Sequence, residues 1–230
     1  MTAAGDAAYL LYGGLYTRAA IVEMVLAEGD IPYRLQAVDI LNGEHRSPAY
    51  RAVSPTGLVP TLITPEGRRL HETPAICLYL AERHGLTHLV PAVDDPLRGP
   101  FLSALFHLTG ELEPELKRYF YPQRYAPRAE DNAAVRAQAL ERAHGHFAVI
   151  EAALAAAGPF RLGAQLSLVD LTLAFWMDCL APAARPPACP AIAACCALVT
   201  ARPKLQPIFA AIQDWRDDYA RRDAAGGGAR

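Results

Sequence analysis

The stretch that decides the fold reads SPTGLVPTL at residues 54–62, and LHETPAICLYL follows at residues 70–80. Pro55 and Gly57 indicate a turn. The pair Val59-Pro60 favours an extended chain, because a proline restricts the residue before it and lacks a backbone donor. The chain is therefore predicted to enter a strand at this point.

A β-hairpin and a helix are predicted directly after that entry. The segments at 61–63 and 68–70 flank Pro65-Glu66-Gly67, the pattern of two short strands joined by a tight turn. Thr73 is predicted to be the N-cap of the following helix, with Pro74 at its first position. The unpaired amides and positive dipole end at such a helix start favour a carboxylate.

The remaining chain separates into two regions with different patterns. Residues 1–85 give strand, helix, strand, loop helix, hairpin and helix, which is the order of an α/β thioredoxin-like domain. Residues 86–97 contain breaker residues and are predicted to be a linker. Residues 98–220 lack strand alternation and predict an all-α C-terminal domain. Residues 221–230 end in GGGAR and are predicted to be disordered.

The second region contains a helix start with a recognisable cap. Ser167 and Asp170 fit a capping box ahead of the apolar run 171–180, because the hydroxyl and the carboxylate can satisfy early amides of the helix. This helix is predicted to be buried and to organise the C-terminal domain.

Composition excludes several classes of function. The net charge is −2, and the sequence contains no basic patch that would bind nucleic acid. No apolar run reaches the roughly 20 residues needed to span a bilayer. The five cysteines form no Cys-x-x-Cys pair and no metal-ligand spacing with the seven histidines. We therefore expect a protein of the reducing cytoplasm, without a metal and without nucleic-acid or membrane partners.

The motifs at residues 54–62 and 70–80 resemble the glutathione-binding half of the cytosolic glutathione S-transferases, especially the bacterial and theta-like members. The resemblance implies that Glu72 holds the ammonium of glutathione, Thr73 its γ-glutamyl carboxylate and the Val59 backbone its cysteinyl amide. It also implies a cis peptide between Val59 and Pro60, which makes Pro60 part of the glutathione-binding set, and contact between His45 and the glycine carboxylate. Glutathione would then be the co-substrate of a homodimeric, detoxifying enzyme.

The predicted catalytic position lies at the start of the first helix, near residue 17. A thiol with an ordinary pKa near ~8.5 is only partly ionised at neutral pH, so an enzyme that uses glutathione as nucleophile must stabilise its thiolate. The segment YTRAAIVEMVL at residues 16–26 looks like the members in which Ser-Arg-Ala opens this helix. In that register Thr17 supplies the hydroxyl, and the adjacent phenol of Tyr16 is the alternative. A purely structural role, in which Thr17 caps the helix and Tyr16 packs, is also open.

Two positions depart from the pattern of the family. Thr73 replaces the usual serine and keeps the hydroxyl. Leu58 replaces the Lys, Gln or Arg that many relatives use to contact the glycine carboxylate, so we expect glutathione binding to be weaker or differently arranged, with Arg46 or Arg18 in compensation.

The resemblance places an electrophile pocket between the two domains. Its predicted residues are Phe106, Tyr119, Tyr121, Arg124 and Trp176. Amphipathic rings with an arginine suit an apolar substrate that bears an acidic or carbonyl group. Aromatic residues at these spacings also occur as ordinary core.

Three functions are consistent with these residues. The first is attack of the glutathione thiolate on an electrophilic carbon. The second keeps the site but reduces disulfides or peroxides with glutathione. The third is a non-catalytic binding or regulatory protein of the same fold, which the substitution at Leu58 favours slightly.

Overall fold

The computed structural model describes residues 8–14 and 17–224 of the 230-residue chain. These residues divide into two compact units. The first consists of the residues up to Leu86 together with those from Arg202 onward, and the second runs from Thr87 to Ala201. The segment from Arg202 onward thus belongs to the first unit, although the sequence predicted a helical C-terminal domain that continues to residue 220.

A four-stranded mixed sheet is the centre of the first unit. Its strands are β1 (Tyr9–Gly13), β2 (Tyr33–Ala37), β3 (Thr61–Ile63) and β4 (Arg69–His71). The order across the sheet is β2-β1-β3-β4, with β2 parallel to β1 and the other two pairs antiparallel. This is the predicted thioredoxin-like arrangement.

The β3–β4 hairpin sets the position of the residues that matter below. Thr61 lies opposite His71 and Leu62 lies opposite Leu70, while Thr61 also pairs with Tyr12 on β1. Side chains alternate between the two faces of a strand, so Thr61 and His71 share one face and Leu62 lies on the other. Leu62 is fully buried, which fixes this register.

Four α-helices complete the described part of the first unit. They are α1 (Ala19–Glu28), α2 (Pro48–Arg51), α3 (Thr73–Arg83) and α9 (Gln206–Ala224), and a 3₁₀ turn covers Glu44–Arg46. Helices α1 and α3 pack against each other. Both carry side chains that are almost completely buried, among them Ile21, Met24, Ile76 and Leu80.

The C-terminal segment is tied to α1 by charge. The guanidinium of Arg202 donates from Nε to Glu28 Oε1 at 2.7 Å and from Nη2 to Glu28 Oε2 at 2.5 Å, and Glu28 is buried. The following helix, α9, continues to Ala224, four residues into the segment that was predicted to be disordered.

The second unit is built from five helices. They are α4 (Arg98–His107), α5 (Glu113–Phe120), α6 (Asn132–Ala157), α7 (Leu168–Cys179) and α8 (Pro190–Thr200). A π-helical turn over Leu108–Leu112 separates α4 from α5. None of the helices in the described part of the chain combines the length and apolar character of a bilayer-spanning segment.

The start of α7 confirms the predicted capping box. Asp170 Oδ2 accepts from the Ser167 backbone N–H at 2.8 Å and from the Ser167 hydroxyl at 2.7 Å, while Oδ1 accepts from the Arg161 N–H at 2.7 Å. Asp170 is fully buried, and burial raises the pKa of its carboxyl, an effect that these hydrogen bonds oppose. The carboxylate therefore joins the loop at Arg161 to the first turn of α7.

Candidate functional site

A cleft in the first unit brings together residues from three separate segments. They come from the start of α1, from the loop before β3, and from the junction of β4 with α3. The lining residues are Arg18, Thr56, Leu58, Val59, Pro60, His71, Glu72 and Thr73. Four of the predicted glutathione-binding residues, Val59, Pro60, Glu72 and Thr73, thus share one cleft.

The junction of β4 with α3 corrects one detail of the sequence analysis. Thr73 is the first residue of α3, not its N-cap; the N-cap is Glu72, with φ +67°, and no side chain caps the helix. A positive φ is uncommon outside glycine. The sequence pattern missed it because Thr73-Pro74 fits a cap and first-position pair equally well.

The hydroxyl of Thr73 forms no hydrogen bond within the described part of the protein. Thr73 is only 4% exposed, and its Oγ1 is buried without a hydrogen-bond partner among the described residues. A buried polar atom left unpaired costs about 1–3 kcal/mol, so such atoms in native proteins call for an explanation. Here the unpaired oxygen belongs to a residue that lines the cleft, beside the unpaired amides of the first turn of α3.

The backbone before β3 presents Val59 to the cleft. The Val59–Pro60 peptide is cis, as predicted. On the other side of Val59, the Leu58 carbonyl accepts from the Tyr50 hydroxyl at 2.9 Å and from Ser54 Oγ at 3.0 Å. This carbonyl is therefore anchored in the protein, whereas the Leu58 side chain is 49% exposed.

Two further hydrogen bonds continue from Tyr50 to the cleft. The Tyr50 hydroxyl lies 3.3 Å from Thr61 Oγ1, and Thr61 Oγ1 lies 3.2 Å from His71 Nδ1. Tyr50 and Thr61 are buried, while His71 is half-buried and lines the cleft. Burial raises the pKa of the Tyr50 phenol above its ordinary value, which keeps this hydroxyl protonated.

The start of α1 is organised differently. Thr17 is 6% exposed, and its Oγ1 accepts from the Ala19 N–H at 3.3 Å. Gly13 passes so close that an added Cβ would lie 2.4 Å from the Ala19 Cβ and 3.1 Å from Thr17 Oγ1. Arg18, and not Thr17, is among the cleft-lining residues. Tyr16, the alternative donor, lies outside the described residues.

His45 lies in the 3₁₀ turn and not among the lining residues of the cleft. Its backbone carbonyl passes close to Gly57: a Cβ added there would lie 2.8 Å from the His45 oxygen, and Gly57 has φ +66°. The backbone of this turn therefore supports the loop that precedes Val59. Contact between the His45 ring and glutathione stays a prediction.

The residues assigned to the electrophile pocket all fall in the second unit. The guanidinium of Arg124 stacks on the Tyr121 ring at 4.3 Å from its centroid, and the Arg136 guanidinium lies 5.8 Å from the centroid of Tyr119. Phe120 links Tyr119, at 5.1 Å, to Trp176, at 6.3 Å between ring centroids.

Trp176 and Phe106 differ sharply within this set. Trp176 is 6% exposed, and its indole Nε1 is buried without a partner in the part of the chain that the structure describes. Phe106, on α4, is 55% exposed. The structure therefore joins Tyr119 to Trp176 through Phe120, a residue that the sequence analysis did not select.

Thiol chemistry of the protein itself has no support at the cleft. All five cysteines are free, and none of them lines it. Burial raises the pKa of Cys77 and Cys195, and raises that of Cys196 to about 12, so these thiols stay protonated at neutral pH. No group of three or more potential metal ligands occurs among the described residues.

Two lining residues, His71 and Thr56, were not selected from the sequence. A usable signal for His71 existed, because the hairpin turn at 65–67 places residue 71 opposite residue 61. His71, which follows Leu70 directly before Glu72, was therefore predictable as one member of a polar pair with Thr61 on the same face of the hairpin. The contribution of Tyr50 was not predictable, since it depends on how α2 folds over the sheet.

Sequence comparison finds a family match over part of the chain. Residues 18–83 match the family model described as the N-terminal domain of glutathione S-transferase. The maleylacetoacetate isomerase of Pseudomonas aeruginosa is 42% identical over 79 residues, which cover 34% of this chain and 36% of that protein. The glutathione S-transferase hmp2 of Hypomyces subiculosus is 37% identical over 86 residues, covering 37% of this chain and 40% of that protein. The chain thus spans well under half of the length of these curated relatives.

Structural comparison extends over nearly the whole chain. A glutathione transferase homologue from Sulfitobacter, crystallised with bound glutathione, superimposes with a TM-score of 0.80 at 26% identity, covering 91% of this chain and 98% of that one. A glutathione transferase from Phanerochaete chrysosporium, crystallised with oxidized glutathione, gives a TM-score of 0.79 at 20% identity over 96% of this chain and 100% of that one, which shows the shared fold.

Proposed function

We propose, from the match of residues 18–83 to the N-terminal domain of glutathione S-transferase, that the chain is a member of that family, binds glutathione and activates its thiolate toward an electrophilic small molecule. One observation carries the proposal: the buried Thr73 hydroxyl, unpartnered among the described residues, belongs to the cleft at the start of α3. Glutathione bound to the Sulfitobacter homologue supports the choice of ligand.

The amino-acid head of glutathione complements the start of α3. Its carboxylate can accept from the Thr73 hydroxyl and from the free amides of the first turn, where the helix dipole favours negative charge. Its ammonium can donate to Glu72, which is exposed at the same junction. The Val59 backbone then pairs with the cysteinyl amide. Charge-assisted hydrogen bonds of this kind contribute roughly 1.5–3 kcal/mol each.

The thiol then lies near the start of α1, where three groups can stabilise the thiolate. The Thr17 hydroxyl uses an oxygen lone pair to accept from Ala19, so its proton is left to donate to sulfur. Tyr16 is the alternative hydroxyl, and the Arg18 guanidinium, which lines the cleft, is a cation. In the reaction the thiolate forms a bond to an electrophilic carbon, and a leaving group departs with the electron pair of the bond that breaks.

The electrophile is assigned to the aromatic residues of the second unit. Two features support a planar, apolar substrate that carries a hydrogen-bond acceptor: the stacking of Arg124 on Tyr121, and the Trp176 donor, which is without a partner among the described residues. Phe106 and Tyr119 complete the proposed set.

A calorimetric titration with glutathione tests the proposal. We expect the wild-type protein to bind, and the double variant Glu72→Ala/Thr73→Ala to lose most of its affinity. The matched control is Glu66→Ala, which removes a glutamate of the same hairpin that lies outside the cleft and pairs with the exposed Arg83. Equal affinity of the folded double variant and the control would reject this placement of glutathione.

A second candidate reaction is the isomerisation named in two curated relatives, the maleylacetoacetate isomerases of Pseudomonas aeruginosa and of Rhizobium meliloti, the latter 47% identical over 60 residues. Mass spectrometry separates the two reactions. An isomerase converts maleylacetoacetate to a product of the same mass without consuming glutathione. A transferase acting on an aryl halide gives a glutathione adduct and a released halide ion.

A cytoplasmic location and a homodimeric state are also part of the proposal, as is a role in detoxification. They rest on the family resemblance alone. Light scattering of the purified protein decides the oligomeric state, with a mass of about twice the 24.9 kDa of the chain expected.

A further inference from the structure

The hydrogen bonds beneath the cleft form a line whose direction can be determined by counting protons. The line joins His71 Nδ1, Thr61 Oγ1, the Tyr50 hydroxyl and the Leu58 carbonyl, at 3.2, 3.3 and 2.9 Å in that order. A carbonyl oxygen accepts and never donates. The contact at Leu58 therefore uses the single proton of the Tyr50 hydroxyl.

The same count settles the other two bonds. Because the Tyr50 proton is used at Leu58, the contact between Tyr50 and Thr61 requires the Thr61 hydroxyl proton. Thr61 then has no proton left for His71, so the bond between them needs a proton on Nδ1 of the histidine. The neutral His71 ring is thus the Nδ1–H tautomer, and its Nε2 is a bare acceptor with no partner among the described residues.

At the Leu58 end of the line, the hydrogen bonds fix the direction of a backbone donor, the Val59 N–H. Tyr50 and Ser54 together satisfy both lone pairs of the Leu58 carbonyl. In a planar trans peptide the N–H of the next residue points opposite to the carbonyl, so the anchored carbonyl directs the Val59 N–H away from Tyr50. Val59 and His71 both line the cleft.

We propose that this line of hydrogen bonds makes His71 Nε2 an acceptor in the ligand site, beside the Val59 N–H that the proposed function already pairs with the cysteinyl amide. The ligand that fits is a peptide that offers a carbonyl oxygen to Val59 and an amide N–H or an ammonium to His71. His71 is a binding residue in this scheme, and Tyr50 is a positioning residue that acts through Leu58 and Thr61. The ligand half rests on the proposed binding of glutathione.

The first test needs no ligand. Nitrogen-15 NMR of the wild-type protein at about pH 8.5, where free imidazole is neutral, distinguishes a protonated Nδ1 from a protonated Nε2. The signal is assigned by its loss in His71→Asn. We expect a protonated Nδ1 and an unprotonated Nε2. A protonated Nε2 in the wild-type protein would overturn the proposed direction.

The second test reverses the tautomer. Tyr50→Phe removes the acceptor for the Thr61 proton, which is then free to donate to Nδ1, and His71 shifts toward the Nε2–H tautomer. Tyr12→Phe is the matched control, because its ring lies 6.0 Å from that of Tyr50 and its hydroxyl has no hydrogen bond within the described residues. The proposal fails if the two variants leave the tautomer equally unchanged.

The third test uses glutathione as the ligand. We expect Tyr50→Phe and His71→Asn each to weaken binding about five- to ten-fold, the size of one lost hydrogen bond, and Tyr12→Phe to bind like the wild type. The asparagine amide can still donate to Thr61 but removes the Nε2 acceptor. Wild-type affinity in His71→Asn would reject the acceptor role. If the wild-type protein does not bind glutathione at all, the proposed function fails, while the tautomer measurement still decides the direction of the line.

Discussion

Helices α3 and α7 both begin with a hydroxyl and a carboxylate, but they use these groups in opposite ways. At α7, Asp170 accepts from Ser167 and Arg161, and the Cys195 thiol approaches it as a further donor at 3.6 Å. At α3, the Thr73 hydroxyl is buried without a partner in the described structure, and Glu72 is exposed. The hydroxyl and the carboxylate at the N-terminus of α7 are hydrogen-bonded within the protein, so this helix start has a structural role. In the proposed function, the start of α3 is completed by a ligand that supplies acceptors and a cation.

The largest effect is expected at the start of α7, where the hydroxyl and the carboxylate are hydrogen-bonded within the protein. Asp170→Ala leaves the buried N–H groups of Ser167 and Arg161 without acceptors, so we expect unfolding in urea to show a loss of about 2–5 kcal/mol. Glutathione affinity of the folded fraction should be unchanged, because Asp170 is not part of the cleft. A loss below about 0.5 kcal/mol, the size of an ordinary surface substitution, would show that this start is not the structural one.

A smaller effect is expected at the start of α3, where the Thr73 hydroxyl is without a partner among the described residues. Thr73→Val removes the hydroxyl and keeps the shape, so we expect glutathione affinity measured by calorimetry to fall about 10- to 100-fold, as for a hydrogen bond to a charged group. Thr73→Ser keeps the hydroxyl and should bind within about two-fold of the wild type, since a ten-fold change needs about 1.4 kcal/mol. Similar losses in both variants would mean that shape, and not the hydroxyl, matters there.

The smallest effect is expected at the start of α1. The Thr17 hydroxyl there accepts a hydrogen bond from within the protein, as the groups at α7 do, but its own proton is still available to a ligand. The thiolate absorbance of bound glutathione should titrate below that of the free tripeptide, and each unit of this shift corresponds to about 1.4 kcal/mol. Thr17→Val and Tyr16→Phe each delete one hydroxyl, and the variant whose titration returns toward the free value identifies the donor. If glutathione binds but neither variant changes the titration, both hydroxyls are structural, which favours Arg18 or a non-catalytic protein.

These differences explain how far the sequence could predict the structure. The order of elements along residues 1–85 and the α7 cap depend on local patterns, such as the turn at 65–67 and the spacing of Ser167 and Asp170, and both are present as predicted. The N-cap of α3 could not be assigned correctly, because Thr73-Pro74 fits the pattern of a cap and a first position, and no sequence pattern indicates the φ of +67° at Glu72.

The candidate site also contains features that the sequence could not predict. Glu72, Thr73 and Val59 stand in recognisable motifs, and the structure brings them together. His71 acquires its orientation from Thr61, which lies ten residues earlier in the sequence, and from Tyr50 in α2. Such a bond requires the tertiary contact between α2 and the sheet, which no periodicity encodes.

The central claim is that the Thr73 hydroxyl is kept for glutathione and not for the fold, and one measurement tests it most directly. The free energy of unfolding is measured for the wild type and for Thr73→Val, each without glutathione and with glutathione at about 100 times the wild-type Kd. Without ligand, we expect the valine variant to be at least as stable as the wild type, because it loses a buried unpaired oxygen. With ligand, the wild type should gain about 2.7 kcal/mol and the variant much less. A variant that is less stable without ligand, and that gains as much from glutathione as the wild type, would contradict the claim.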